Sequence, residues 1–367
     1  MTDAALARAL LAWYRRRSRD LPWRRTRDPY AIWLSEVMLQ QTTVETVTPR
    51  YRRFLGRFPT VEALAAARER DVLAEWSGLG YYARAKNLHR SARSLVRAGG
   101  FPRTVEGLRA LPGVGAYTAA AVASIAFGVP EPVVDANVVR VLCRLHGLRL
   151  DPKASPTLRR VRELARPLVT GDEPGDRNQA LMELGALVCT PRAPRCGGCP
   201  LRARCRANAL GAAERYPRRP KRKVPTNLRL VAGLARRRGR VLLVKDDEIV
   251  RGHLTVPLFR VPARHRPAEV LRKGWNDVTG GAVGAFEPLG ELRHSVLDRR
   301  YVVSVFAVEE KTTSASLHLF HDARHRTSRG RSRRRILLLR ESEIARHEHG
   351  GLLRKILALG SRASRKV

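Results

Sequence analysis

The stretch LPGVGAYTAAAV at residues 111–122 decides the fold expected for this chain. A Leu-Pro pair precedes a Gly-Val-Gly turn, and small apolar residues follow it. Glycine lets a backbone turn tightly and approach a ligand closely, and the amides that open the next helix point toward an anion. A bare Gly-x-Gly also suits an ordinary turn between packed helices. The flanking residues favour a helix-hairpin-helix over 108–128, in which Gly113, Val114 and Gly115 bind a DNA phosphate independently of base sequence.

The rest of the 367-residue chain divides into two parts with different periodicity. Residues 1–207 carry apolar side chains at helical spacing, interrupted by Gly and Pro, and predict a mainly α domain without strands. Residues 208–227 are basic and contain several prolines, as in a linker. Residues 228–367 predict a smaller α+β domain.

Strand and helix candidates can be placed within the second part. The segments 228–235 and 241–246, joined by the turn RRRGR, predict a β-hairpin. Further strands are expected at 300–310 and 334–339, and a helix at 350–360. Two domains, each with its own core, are therefore expected.

The charge of the chain points to a polyanionic partner. Lys and Arg total 71 against 33 Asp and Glu, a formal net charge of +38. Genome composition can explain a preference for Arg over Lys, but not a twofold excess of bases over acids. Nucleic acid is favoured over a membrane surface. The run HDARHRTSRGRSRRR at 321–335, which contains seven arginines, predicts a solvated or DNA-facing loop.

The chain has no feature of a membrane or secreted protein. No apolar run reaches the roughly 18 to 20 residues that cross a bilayer. The N-terminus, with Asp3 and Arg8, is typical of an amphipathic helix and not of a signal peptide. These features predict a cytoplasmic protein, in which clustered cysteines favour a metal over disulfides.

Four of the five cysteines fall within 17 residues, in the spacing C-x6-C-x2-C-x5-C. They are Cys189, Cys196, Cys199 and Cys205. Four thiolates in one short loop could bind Zn²⁺ or an iron-sulfur cluster, and the chemistry alone favours neither. The fifth, Cys143, lies on the apolar face of a predicted helix and is expected in the core.

Two acidic residues lie in apolar surroundings. Glu36 sits within WLSEVMLQQTTV and is either exposed on the polar helix face or buried with a raised pKa. Only a buried Glu36 could serve as a general acid near neutral pH. Asp135 precedes an apolar helical run, the position of an N-cap, and capping alone would explain it.

The segment GLGYYARAKNLH at 78–89 places two tyrosines between glycines and basic residues. Arg84, Lys86 and His89 could contact phosphates while a tyrosine wedges between bases. Two aromatic side chains at the start of a helix could equally belong to the core.

These motifs together resemble the adenine DNA glycosylases of the MutY type, relatives of endonuclease III. The resemblance covers residues 10–207 and is carried, in chain order, by LPWRRTRDPYAIWLSEVMLQQT, GLGYYARAKNLH, LPGVGAYTAAAV, VVDANVVRVL, NQALMELGALVC and the four-cysteine loop. It implies a DNA glycosylase that removes adenine mispaired with 8-oxoguanine or guanine. It also implies a [4Fe-4S] cluster on the four cysteines.

The resemblance assigns roles to individual residues. Glu36 corresponds to the acid that protonates adenine, and Asp135 to the carboxylate that stabilises the cationic sugar. The other assignments form three groups: Tyr117 and Asn137 support this centre, Trp23, Arg24 and Gln179 surround the extruded adenine, and Gln41 and Tyr81 enter the duplex. Endonuclease III-like relatives carry a nucleophilic lysine where this chain has Tyr117, so we expect a monofunctional enzyme.

Some positions depart from the family pattern. Ala136 replaces the usual glycine after the aspartate, and Val139 stands where some relatives have a lysine. The second domain should be Nudix-like by position, yet KGWNDVTG at 273–280 lacks the glutamates of a Nudix hydrolase. The family's aromatic-Ser-His loop is replaced near Val296–Asp298, so His294, Ser295 or Arg299 are candidates for contacting the oxidised base.

Two other functions remain open at this level. One is a bifunctional, endonuclease III-like glycosylase for damaged pyrimidines, and the other is a non-catalytic lesion-binding protein. For the adenine DNA glycosylase that the resemblance implies, the expected partner is double-stranded DNA containing adenine mispairs, bound by a monomer in the bacterial cytoplasm, at the nucleoid.

Overall fold

The computed structural model describes residues 2–218, 225–246, 249–250, 253–279, 283–296, 299–310, 336–344, 347 and 349–363. The chain divides into two compact units. One comprises Met1–Glu69 with Ala83–Lys221, and the other Arg70–Tyr82 with Arg222–Val367.

Residues 2–218 contain helices and no strand, as the periodicity predicts. In chain order they are α1 (Asp3–Arg17), α2 (Pro29–Leu39), α3 (Val44–Arg57), α4 (Val61–Ala66), α5 (Glu69–Glu75), α6 (Tyr82–Arg97), α7 (Val105–Arg109), α8 (Ala116–Phe127), α9 (Ala136–His146), α10 (Ser155–Val169), α11 (Pro174–Leu187) and α12 (Arg206–Ala209). Five of them begin at a Thr or Asp whose side chain accepts a hydrogen bond from a first-turn amide.

The predicted helix-hairpin-helix is formed by α7, a short turn and α8. Gly113 has a φ of +77°, and a Cβ there would lie 2.6 Å from the Cβ of Asn87. Both the backbone conformation and the close approach of α6 therefore require glycine. Gly115 is the N-cap of α8, and no side chain caps the helix at this residue. The first-turn amides of α8 therefore have no capping side chain as acceptor, and they point out of the N-terminal end of the helix.

Helix α11 lies at the centre of the first unit's core. It packs against α1, α8, α9 and α10, and Ala180, Leu181 and Leu184 are completely buried. A Cβ at Gly185 would lie 2.5 Å from the Cβ of Asn137. Glycine at this position therefore lets α11 approach the start of α9.

The second unit is α+β. Its strands are β1 (Thr226–Leu234), β2 (Arg236–Arg237), β3 (Arg240–Asp246), β4 (His253–Thr255), β5 (Leu258–Arg260), β6 (Val283–Val296), β7 (Arg299–Glu310) and β8 (Ile336–Arg340). Its helices after β5 are α13 (Pro267–Thr279), α14 (Glu341–Ile344) and α15 (Gly351–Ala363). One sheet has the order β5-β1-β7-β6, and in the other β3 pairs with β2, β4 and β8.

The predicted hairpin between 228–235 and 241–246 is wrong. β1 pairs in parallel with β7 and antiparallel with β5, whereas β3 belongs to the other sheet. The turn RRRGR does reverse the chain, but it joins β3 to the two-residue β2, with one further hydrogen bond from the Leu242 amide to the Ala235 carbonyl. The physical reason is that both backbone edges of β1 are already hydrogen-bonded, one to β5 and the other to β7, so no edge is left for β3.

The other expected strands and the late helix are confirmed in β7, β8 and α15. β6 and α13 were not predicted. β6 contains Pro288 and irregular register on both sides of residues 286–288, so its sequence does not alternate regularly. α13 carries Leu271, Trp275 and Val278 on one buried face, at spacings of four and three residues.

Candidate active site

One cavity of about 310 Å³ in the first unit brings together seven residues singled out in the sequence. They are Trp23, Arg24, Glu36, Tyr117, Asp135, Asn137 and Gln179. These residues come from five separate places in the chain, and the packing of α2, α8 and α11 makes them neighbours. The volume of this cavity is in the range of small-molecule sites.

Glu36 is the buried alternative of the two that the sequence left open. It is 5% exposed on α2, and its Oε2 accepts a hydrogen bond of 2.6 Å from the Tyr117 hydroxyl. Burial raises the pKa of Glu36 from 4.5 to about 7, and the charge of Asp135 adds to the rise, while Tyr117 and Arg24 oppose it. The group can therefore carry a proton near neutral pH.

Asp135 both caps α9 and lines the cavity. Its Oδ1 accepts from the Val138 amide at 2.7 Å, and its Oδ2 accepts from Asn137 Nδ2 at 2.8 Å. Burial raises the pKa of Asp135, although these two hydrogen bonds oppose the rise. A capped, hydrogen-bonded carboxylate beside a protonatable one gives the cavity two acids with different tasks.

Asn137 connects Asp135 to the cysteine loop. Its Oδ1 accepts from Arg140 Nη2 at 2.8 Å, and Arg140 Nε donates to the carbonyl of Cys189 at 2.7 Å. Arg144, 2% exposed, donates to the same carbonyl and, at 3.3 Å, to Cys189 Sγ. Two arginines on α9 thus join one catalytic candidate to the loop through hydrogen bonds.

The sequence analysis did not single out two residues that line the cavity, Glu183 and Arg19. Glu183 accepts hydrogen bonds from both Arg19 and Arg24, and all three line the cavity. Glu183 follows Gln179 by four residues on α11, so the helical period could have placed it on the same face. Arg19 lies before the short 3₁₀ helix Pro22–Arg24, and no pattern marks it.

The departures at 136 and 139 are compatible with the site. Ala136 is the first residue of α9 and is not in the left-handed region. Val139 is 2% exposed in the core. No lysine lines the cavity among the residues that the structure describes.

The residues expected to enter DNA have unusual backbones. Gln41, which is exposed, has a φ of +59°, and Tyr81, 46% exposed, has a φ of +49°. Non-glycine residues seldom adopt this conformation, and they cluster at functional sites. In the hairpin, Gly113 and Gly115 are exposed, whereas Val114 is buried and its amide donates to Leu111 within the turn.

Two of the three basic residues after Tyr81, Arg84 and His89, make internal contacts and do not face outward as a phosphate surface. Arg84 donates to the carbonyls of Val37, Met38 and Gln40 at 2.6–3.0 Å, at the end of α2. His89 is 2% exposed. Arg84 therefore holds the segment that leads from Glu36 to Gln41, because it satisfies carbonyls that a helix end leaves open.

The four clustered cysteines lie in one loop, partly buried, and Cys189, Cys199 and Cys205 pack against the core. Their thiols lie within electrostatic range of one another. No three metal-ligating side chains among the described residues converge on a single ion. A [4Fe-4S] cluster takes one thiolate per iron, so its ligands need not converge on one point. The donor set fits such a cluster, and Cys143 is a core residue as predicted.

Five arginines of this loop are exposed. They are Arg192, Arg195, Arg202, Arg204 and Arg206. Their outward position leaves their charge available to a polyanion.

In the second unit, KGWNDVT lies on α13 with Trp275 fully buried. β6 and β7 pair antiparallel, and His294 stacks on its cross-strand partner Tyr301 with a centroid distance of 6.3 Å. Val296 is 43% exposed at the end of β6. Leu297, Asp298, Gly280 and the arginine-rich run 321–335 lie outside the described residues. Among the residues described, no helix is long and apolar enough to cross a bilayer.

Comparison with known proteins identifies the family of this chain. Residues 34–167 match the HhH-GPD superfamily of base excision DNA repair proteins. The adenine DNA glycosylase of Mycolicibacterium smegmatis is 42% identical over 265 residues, which cover 70% of this chain and 86% of that protein. The chain belongs to the adenine DNA glycosylase family.

Other members of the family match over a shorter part. The adenine DNA glycosylase of Rattus norvegicus is 49% identical over 215 residues, 56% of this chain, and the chain spans 42% of that relative's length. The structure of a thermostable thymine-DNA glycosylase matches with 32% identity and a TM-score of 0.52, covering 57% of this chain and 97% of that one. The helical part is thus a helix-hairpin-helix glycosylase domain.

The contacts of Arg84 generate a stability prediction. Arg84→Ala leaves three carbonyls at the end of α2 without the donor that Arg84 provides. We expect the free energy of unfolding to fall by about 1–3 kcal/mol. Thermal unfolding should show a lower midpoint. Arg90→Ala, an exposed position on the same helix, is the matched control and should change it little. Equal midpoints for the two variants would contradict the role of Arg84.

Proposed function

We propose that this chain is a monofunctional adenine DNA glycosylase, which hydrolyses the N-glycosidic bond of adenine mispaired with 8-oxoguanine or guanine. The observation that carries the proposal is the buried Glu36, with a pKa of about 7, in one cavity with Asp135. Family membership supports it. Tyr117 occupies the place of the lysine that a bifunctional relative would use.

The two carboxyl groups divide the chemistry. Glu36 in its protonated form donates to a ring nitrogen of adenine, so that the base departs as a neutral leaving group. Asp135, ionised, stabilises the cationic sugar that remains. The Tyr117 hydroxyl, whose pKa burial raises well above 10, stays protonated and orients Glu36. Asn137 holds Asp135 by donating to its Oδ2.

Adenine must leave the duplex to reach this cavity. Extruding a base costs a few kcal/mol, and a mispaired base costs less. Gln41 and Tyr81 are proposed to fill the space that the base vacates. Gly113, Val114 and Gly115 are proposed to hold a phosphate at the start of α8, where open amides and the helix dipole favour an anion.

The second domain, 228–367, is proposed to be Nudix-like and to contact the base opposite adenine without hydrolysing nucleotides. The segment KGWNDVT at 273–279 offers only Asp277 where a Nudix hydrolase needs several glutamates. His294 and Ser295 lie near the end of β6, next to the position of the family's aromatic-Ser-His loop. A double-stranded DNA partner and a monomer complete the proposal.

Cys189, Cys196, Cys199 and Cys205 are proposed to hold a [4Fe-4S] cluster. All four ligand positions of such a cluster are taken by thiolates, so it would supply structure to the loop and not a hydrolytic centre. The exposed arginines of the loop would then be held in a fixed arrangement toward DNA.

The proposal is tested by single-turnover assays on duplexes with adenine opposite 8-oxoguanine, guanine or cytosine. We expect alkali-labile sites opposite 8-oxoguanine and guanine, and no strong adduct on borohydride trapping. Absence of alkali-labile sites would favour a lesion-binding protein. Strand cleavage without alkali, together with a trapped adduct, would favour a bifunctional glycosylase.

The two carboxyl groups predict a bell-shaped pH profile. The rate should fall as pH rises through about 7, because Glu36 loses its proton, and fall at acidic pH as Asp135 gains one.

Glu36→Gln should bind DNA but excise adenine on the order of 10²-fold more slowly. Glu163→Gln, which alters an exposed pair with Arg160, is the control. Comparable activity in Glu36→Gln would remove Glu36 from its role.

The cluster proposal predicts about four irons per chain, with matching sulfide, after anaerobic purification. Cys199→Ser should lower bound iron and the visible absorbance, whereas Cys143→Ser should keep both. Stoichiometric zinc without iron in the native protein would overturn the assignment.

A further inference from the structure

Arg24 in the cavity wall is held by a buried carboxylate. Glu183 has a side chain that is 1% exposed, and its two oxygens accept from Arg24 Nη1 at 3.0 Å and Nη2 at 2.7 Å. This is the bidentate arrangement in which a guanidinium loses its freedom to rotate. The ring of Tyr14 packs against the same guanidinium, 5.4 Å from its carbon.

A second arginine completes the cluster. Arg19 donates to Glu183 through its backbone amide, Nε and Nη2, at 2.7–2.9 Å. The carbonyl of Arg19 accepts from Arg24 Nη1 at 3.0 Å. Burial alone would raise the pKa of Glu183, but the hydrogen bonds from both arginines outweigh it and lower the pKa to about 2. Glu183 is therefore a carboxylate throughout the working pH range.

The cluster borders the cavity that contains Glu36. The charged or titratable groups that act on Glu36 are Tyr117 from α8, Asp135 at the start of α9 and Arg24 from the 3₁₀ helix. Three residues of α11 line the same cavity: Gln179, Met182 and Glu183. Arg24 favours the ionised form of Glu36 and so opposes its role as a proton donor. The charge that Arg24 presents depends on how well its partner offsets it.

We propose that Glu183 is a positioning residue that fixes Arg24 in the adenine pocket and offsets its charge, so that Glu36 remains protonated near neutral pH. The inference rests on the proposed function. It goes beyond it, since it assigns to α11 a second task besides packing. Placing a full positive charge in the pocket without this counterion would favour loss of the very proton that departure of adenine requires.

The test compares pH profiles of single-turnover excision. Glu183→Gln keeps the shape and one acceptor but removes the negative charge. Less-offset Arg24 then favours the ionised Glu36, so the alkaline limb should move to lower pH. A shift of half to one pH unit corresponds to about threefold to tenfold slower excision on that limb, with a smaller change at acidic pH.

Two further variants distinguish this role from a merely structural one. Glu173→Gln removes a carboxylate paired with Arg15 at the start of the same helix, outside the cavity, and should leave the profile unchanged. Arg19→Gln leaves the Arg24 side chain as the one guanidinium that Glu183 offsets, so the alkaline limb should move to higher pH. This variant decides the question if Glu183→Gln does not fold.

The outcomes separate the inference from the proposed function. An unmoved limb in folded Glu183→Gln, or a limb that Arg19→Gln leaves in place or moves to lower pH, overturns the role of Glu183 while the native protein still excises adenine. Absence of excision by the native protein overturns the proposed function itself.

Discussion

The burial of one carboxyl group between two helices is the constraint on which the site depends. The Tyr117 hydroxyl on α8 donates to Glu36 on α2 at 2.6 Å, in a place from which water is largely excluded. A carboxyl group moved into such a place costs free energy when ionised, and this cost raises its pKa to about 7. The packing that shields Glu36 is thus also what lets it hold a proton near neutral pH.

Helix α11 provides much of that packing. Asn178 donates to the Glu131 carbonyl and accepts from the Val133 amide, which ties the segment before Asp135 to α11. Gly185 lets the same helix approach Asn137. One helix thereby positions both the carboxylate at the start of α9 and one wall of the cavity. The hydrogen bonds from Asn137 through Arg140 to Cys189 extend this order to the cysteine loop.

The limits of sequence-based prediction appear most clearly in the second unit. The alternation in β1 and β3 indicates strands, yet it does not tell which strand pairs with which. β1 was expected to pair with β3 across a short turn, but β5 and β7 occupy its two edges. The bulged β6, with Pro288 in its middle, lacks the regular period that would have revealed it.

The sequence alone determined the helical character of residues 2–218, the turn at Gly113, the core position of Cys143 and the membership of the family. Those properties depend on local periodicity, on backbone conformation or on motifs contiguous in the chain. Tertiary structure decided whether Glu36 is buried, where Arg84 donates and that Glu183 joins Arg19 and Arg24 beside the cavity. Each of these depends on which helices meet. A raised carboxyl pKa or a buried ion pair arises only when residues distant in the chain together exclude water.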